Sequence, residues 1–332
     1  MRAAKSRIVF FLAGLGVFIY LISRFGVDRI LANIERAGWS LILVIGVWFF
    51  IYLLNTLSWK LVLGSQGHAI SFRRLFMVTV SGFVINYITP VVAIGGEPYK
   101  VRMLAGTLGP EHSVSAVVLY RMVHLLGHML LLLGGIVLAL AVLPLPAAME
   151  FPLILAGAVV LGVILLTFSG HRGGVFRRIQ RIAQRIPFLR GIPRILERDE
   201  EKLAGMDRLI TGVYHDERGR FLLAVFSEFV TRLLMGVEVY LILQGIGVGT
   251  SLTSALFLYV SYSIIINLLF FVPMALGTRE GGLALGLGSL ALPPLLGVYL
   301  GVVMRIREFV WILLGLLFIL LTKEKEGAAA EG

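Results

Sequence analysis

The chain has 332 residues, 58% of them hydrophobic and 15% charged, with a formal net charge of +11 and no cysteine. A soluble core of this size does not need such apolarity; an integral membrane protein does. The lack of cysteine excludes disulfides, thiolate metal sites and thiol chemistry, and the basic residues lie between apolar stretches, which points to the anionic inner leaflet and away from nucleic acid.

About 20 apolar residues cross a bilayer as a helix. By that measure transmembrane helices are expected at 8–25, 39–62, 113–140, 152–169, 221–245 and 295–321. The first follows a basic start and has no small-residue cleavage site before the charged 24–36 stretch, so it reads as a retained span. Residues 26–38 place Val27, Ile30, Leu31 and Ile34 at helical spacing, which predicts a short helix on the outer surface.

Two apolar segments, 75–106 and 252–291, are interrupted. In NYITPVVAIGGEPYKVRML (86–104) the run is broken by Asn86, Pro90, Gly95, Gly96 and Glu97, then by Lys100 and Arg102. In NLLFFVPMALGTREGGLAL (267–285) an Asn again leads through a Pro and Gly277 to a charged pair, Arg279-Glu280. Proline removes a donor and glycine loosens the backbone, so neither segment reads as one continuous helix. Broken backbone at membrane depth survives only where protein buries it or a wet cavity borders it. Matching interruptions in two halves point to a transporter binding site.

Positive charge sets the orientation. Segment 170–220 carries twelve Lys and Arg and belongs in the cytoplasm, whereas 141–151 and 246–252 carry none and face outward. Both termini and the basic segment stay inside only if 75–106 and 252–291 are re-entrant. The expected fold is therefore an all-α integral membrane protein of the cell (inner) membrane, with six transmembrane helices and two re-entrant helical hairpins arranged as an inverted repeat. Residues 1–145 form the first repeat and 146–325 the second, the latter including an amphipathic cytoplasmic connector at 170–220. Residues 326–332 read as a disordered tail. After each hairpin an Arg is followed three residues later by an ionisable group, Arg121 with His124 and Arg305 with Glu308, which supports the repeat.

A charge at the bilayer centre costs about 2.5–3.5 kcal/mol on insertion scales, so the charges inside these spans are candidates for function. Arg102, Arg121, Arg279 and Arg305 are the expected phosphate contacts, with Lys100 nearer the cytoplasmic mouth. Asn86 stands at the first break, and Gly95, Gly96 and Gly277 would let backbone approach a ligand. Glu97, His124, Glu280 and Glu308 are expected to pair with the arginines or to carry protons. Glu228 and Arg232, at i,i+4, are expected to satisfy each other. Neither a metal site nor any cofactor is expected, since no cysteine or carboxylate accompanies His124 and His128 at ligand spacing.

On Asn86 with Pro90, Gly95-Gly96-Glu97 with Arg102, Asn55 to Trp59, Arg121, and Gly277-Thr278-Arg279-Glu280, the chain resembles the lysylphosphatidylglycerol synthase transmembrane family of flippase-like (UPF0104-type) membrane proteins. Where that family has an acidic residue before its counterpart of Arg121 and an Asp three after it, this chain has Tyr120 and His124. The family's aminoacyl-transferring members carry a large soluble catalytic domain. None follows here before Gly332, so the resemblance implies lipid translocation without aminoacylation. The expectation is a flippase or transporter for an anionic, phosphate-bearing lipid or lipid-linked head group, such as a phospholipid or polyprenyl phosphate, and not an enzyme. The alternatives are an intramembrane lipid-modifying enzyme and a non-transporting partner of a lipid-synthesis enzyme. The expected partners are an anionic membrane lipid and the inner leaflet, with a homo-oligomer or a lipid-synthesis enzyme as further candidates.

Overall fold

A computed structural model describes residues 38–88, 95–170 and 217–330, with the single positions Asp28, Leu31, Ala32, Glu35, Gly205 and Gly212. The expected span 8–25, most of the helix at 26–38, Pro90 and nearly all of the connector 170–220 lie outside the described residues. Within them the chain is helical, without strands: α1 (Trp39–Val62), α2 (Phe72–Ile88), α3 (Gly96–Leu108), α4 (Pro110–Val142), α5 (Ala147–Gly170), α6 (Arg218–Gly245), α7 (Leu252–Leu268), α8 (Thr278–Ser289) and α9 (Leu296–Ala330). The last of these takes in residues 326–330 of the stretch read as a tail.

Among the described residues three helices are long and apolar enough to cross a membrane: α1, α4 and, within α5, Ala147–Leu165. Helices α6 and α9 have the length but carry buried charges, Glu228, Arg232 and Glu238 on α6 and Arg307 on α9. At 1.5 Å per residue the other four are short: α2 and α7, with 17 residues each, reach about 25 Å, and α3 and α8 less than about 20 Å. None matches the roughly 30 Å of hydrocarbon. Each interrupted segment is thus two short helices, and the two arms of each pack against one another, α2 on α3 and α7 on α8.

Asn86 explains how α3 begins. The first amides of a helix lack intrahelical partners. From the end of α2, Asn86 Oδ1 accepts from the Gly96 amide at 2.7 Å, while its Nδ2 donates to Glu97 at 3.2 Å. The second break carries its own backbone signature, with positive φ at Met274 (56°), Ala275 (50°) and Gly277 (73°) after Pro273. Glycine then closes each hairpin. A Cβ on Gly96 would collide with the Gly82 carbonyl, and one on Gly282 would stand 2.8 Å from Tyr262 Cα.

The two hairpins are held crosswise. Helix α2 packs on α9, and α7 packs on α4, with α1 against α6 between them. At that central contact Ser58 of α1 donates to the Ala224 carbonyl of α6 at 3.1 Å, and Ser227 of α6 donates to the Leu54 carbonyl of α1 at 3.0 Å. Hydrophobic side chains of α1 and of α4 to α9 form the largest core cluster.

Candidate functional site

Beside the second break, a cavity of about 500 Å³ opens among α4, α6, α7, α8 and α9, with Trp48 of α1 on its wall. Four arginines line it, Arg121, Arg232, Arg279 and Arg307, against one carboxylate, Glu308. In a low-dielectric interior such charges persist only when paired or when they meet a charged ligand.

Glu308 is already saturated. Arg279 approaches it at 2.8 Å, Arg307 at 3.7 Å, and the Tyr87 hydroxyl from α2 donates to its other oxygen. Arg307 also donates through Nε (2.9 Å) and Nη2 (2.8 Å) to Glu238 of α6, and its guanidinium lies 3.6 Å from the centre of the Trp48 ring. This stack and fork hold it rigidly. At the rim, Arg121 is half exposed and meets Glu97 only loosely, at 3.6 Å. Arg305 makes the corresponding contact in the other half, 2.8 Å to the fully buried Glu280, and is itself only 12% exposed.

Arg232 differs from its neighbours. It is 9% exposed, its Nε has no partner, and among the described residues it forms no ion pair. Its Nη2 points at His124 Nε2. An arginine is always a donor, so that nitrogen of His124 accepts, and the ring proton sits on Nδ1, where it is donated to Glu228 at 2.8 Å. His124 is therefore a neutral bridge between Glu228 and Arg232. The spacing of those two residues suggests a direct pair; the imidazole reaching in from α4 takes that place. Also on the cavity lining, the exposed Asn267 donates through Nδ2 to His128 Nε2 at 3.1 Å.

The remaining expected site residues fall elsewhere. Lys100 is not near a mouth: it is 2% exposed, with Nζ 4.6 Å, 5.1 Å and 5.6 Å from the ring centres of Phe83, Tyr120 and Trp59. Arg102 is exposed and does not line the cavity. The reason is helical phase, because two residues apart on α3 the side chains point in nearly opposite directions. Arg305 is held by Glu280 and does not line the cavity. Asn86, Gly95 and Gly96 start α3 and close its hairpin, and Gly277 turns the chain into α8. Gly277 also borders a separate apolar groove of about 940 Å³ along α7 and α8. Sequence reasoning ranked Arg232, Arg307 and Asn267 too low. The available signal was their polarity within otherwise apolar helices, and only packing could show that they converge.

The family profile for the lysylphosphatidylglycerol synthase TM region matches residues 6–315. Searches of curated proteins and of solved structures found no match.

Proposed function

The chain belongs to the lysylphosphatidylglycerol synthase transmembrane family, and from that premise we propose that it moves an anionic, phosphate-bearing lipid or lipid-linked head group across the cytoplasmic membrane. The cavity carries this reading: Arg232, buried and without an ion pair among the described residues, shares it with Arg121, Arg279 and Arg307, and the one carboxylate on its wall, Glu308, is already met, so the site favours an anion. Arg232, Arg121 and Arg279 take the phosphate oxygens, while Arg307 is fixed by Glu238 and Trp48. Planar guanidinium forks suit phosphate geometry.

We propose alternating access of two inverted halves as the mechanism. In this reading α1, the α2–α3 hairpin and α4 are the inverted counterparts of α6, the α7–α8 hairpin and α9, both hairpins are re-entrant, and both termini are cytoplasmic. Three observations support it. The hairpins pack crosswise on α9 and α4. The central helices exchange serine hydrogen bonds. Each hairpin's second arm begins with a glutamate held by an arginine of the next helix, Glu97 by Arg121 and Glu280 by Arg305. One of those pairs is loose and half exposed and the other tight and buried, as two halves of a rocking transporter differ in any single state.

Reconstitution in vesicles with an acyl-labelled anionic phospholipid tests the reading. Protein-dependent exchange between leaflets without chemical change is the expected result. Conversion to a new lipid species would favour the enzyme reading, and neither outcome would leave the role of partner to a lipid-synthesis enzyme.

A further inference from the structure

Resting on the transport reading above, we propose that an anion reaching Arg232 binds together with one proton, which the His124–Glu228 pair takes up. Lipid movement is then symport with a proton. How Arg232 is held carries this. Arg279 and Arg307 meet carboxylates directly, at 2.8 Å to Glu308 and to Glu238. At Arg232 an imidazole stands between cation and carboxylate: the guanidinium donates to His124 Nε2, and His124 Nδ1 donates to Glu228 at 2.8 Å. Glu228 is fully buried. Its other oxygen makes no hydrogen bond among the described residues, although the Ser58 and Tyr120 hydroxyls lie near it. Helix α4 packs closely on it, since a Cβ on Gly127 would stand 2.5 Å from Glu228 Cβ. His124 lines the cavity and Glu228 does not, so protons reach the pair through the ring.

Arg232 is free to let go of that ring. Its Nη1 has the weak acceptor Met235 Sδ at 3.4 Å, and its Nε has no partner among the described residues. An anion offers shorter and stronger charge-assisted contacts. Once the guanidinium turns to it, His124 Nε2 loses its donor and accepts a proton from the cavity. The Glu228 carboxylate balances the new charge, or Nδ1 passes its own proton to Glu228 as Nε2 gains one. In either form the pair holds one proton more and titrates as a unit. The electrostatics has the same sign. Burial favours the neutral acid at Glu228 and the relayed Arg232 charge favours the ion, so neutralising Arg232 tips the pair towards protonation.

Tyr120, Arg121 and His128 face the pair from α4, Lys100 from α3 and Ser58 from α1, with Arg279, Arg307 and Glu308 across the cavity. Lys100, enclosed by rings and not on the cavity lining, acts alike with and without the anion. Arg121, a further contact for the anion, opposes the added proton less once neutralised. By linkage, anion and proton strengthen each other's binding by the same factor. The anion-bound form holds more protons, so affinity rises as pH falls and is lost as pH rises.

The test uses the full chain in detergent, lightly buffered with a pH indicator, and short-chain phosphatidylglycerol as the anion. About one proton should be taken up per ligand bound, and affinity should fall by up to about tenfold per pH unit on the alkaline side. His124→Gln keeps both hydrogen bonds but cannot take a proton. It should bind without uptake and with an affinity flat against pH, as should Glu228→Gln. Arg102→Ala should keep the full uptake. Should Glu228→Gln fail to fold, His124→Gln decides alone. Binding without uptake in the unmodified protein, uptake that survives His124→Gln, or no binding at all overturns the proposal. In vesicles alkaline inside, acyl-labelled phosphatidylglycerol should accumulate in the inner leaflet, and exchange that ignores the gradient overturns it too. Proton-linked binding without any movement between leaflets upholds the site and rejects the transport reading.

Discussion

Arg232 and Arg102 illustrate how little a residue's type says about its role. Both are arginines within apolar context, yet one is buried against a neutral histidine and lines the cavity, while the other is exposed. Removing a charge-assisted contact to phosphate costs about 1.5–3 kcal/mol, so Arg232→Ala should slow lipid exchange by roughly ten- to a hundredfold. Arg102→Ala should leave the rate within about twofold, as surface substitutions do. Vesicle exchange assays on both variants, with melting curves as the folding control, check this pair. His124 makes a second, independent prediction. A glutamine there can still accept from Arg232 and donate to Glu228, whereas a leucine strands both. His124→Leu should be less stable than His124→Gln by about 2 kcal/mol in chemical or thermal unfolding.

At the scale of elements, the hairpins depend on close approach of their arms. Adjacent glycines of α8 should therefore respond oppositely to alanine. A Cβ on Gly281 meets nothing within 4 Å, so Gly281→Ala should stabilise by about 0.5–1 kcal/mol through helix propensity alone. A Cβ on Gly282 is pressed on Tyr262, so Gly282→Ala should destabilise by about 1–3 kcal/mol. Melting temperatures of the two variants give the comparison directly. The presence of two interrupted segments was legible, because Asn, Pro, Gly and charge inside an apolar run conflict with a plain span. The glycines of 277–301 read from the sequence as places where helix approaches helix, and Gly282 against Tyr262 is one of them; at Gly96 the Gly82 carbonyl likewise leaves no room for a Cβ.

At the scale of the whole molecule, the charge bias of the connecting segments supports an orientation that labelling can test. The chain contains no native cysteine, so a single introduced one reports cleanly. A cysteine at the exposed position Ala147, the first residue of α5, should react with an impermeant reagent from outside, and one at Ala183 in the basic segment only from inside. Labelling of both from the same side would remove the odd number of crossings on which the inverted arrangement rests. The crosswise packing of the hairpins and the reciprocal serine bonds of α1 and α6 could not be anticipated, since contacts between residues more than 160 positions apart leave no periodic trace.

Hydrophobic periodicity and the placement of breakers are local, so composition and spacing alone determined that this is a helical membrane protein with two interrupted segments and charges to be accounted for. Even α1, Trp39–Val62, has the bounds its apolar run predicts. Which charges meet is decided by helix phase and by packing between distant elements. Only the tertiary structure placed His124 between Glu228 and Arg232, enclosed Lys100 in three rings, and turned Arg102 away from the cavity that Arg279 and Arg307 share.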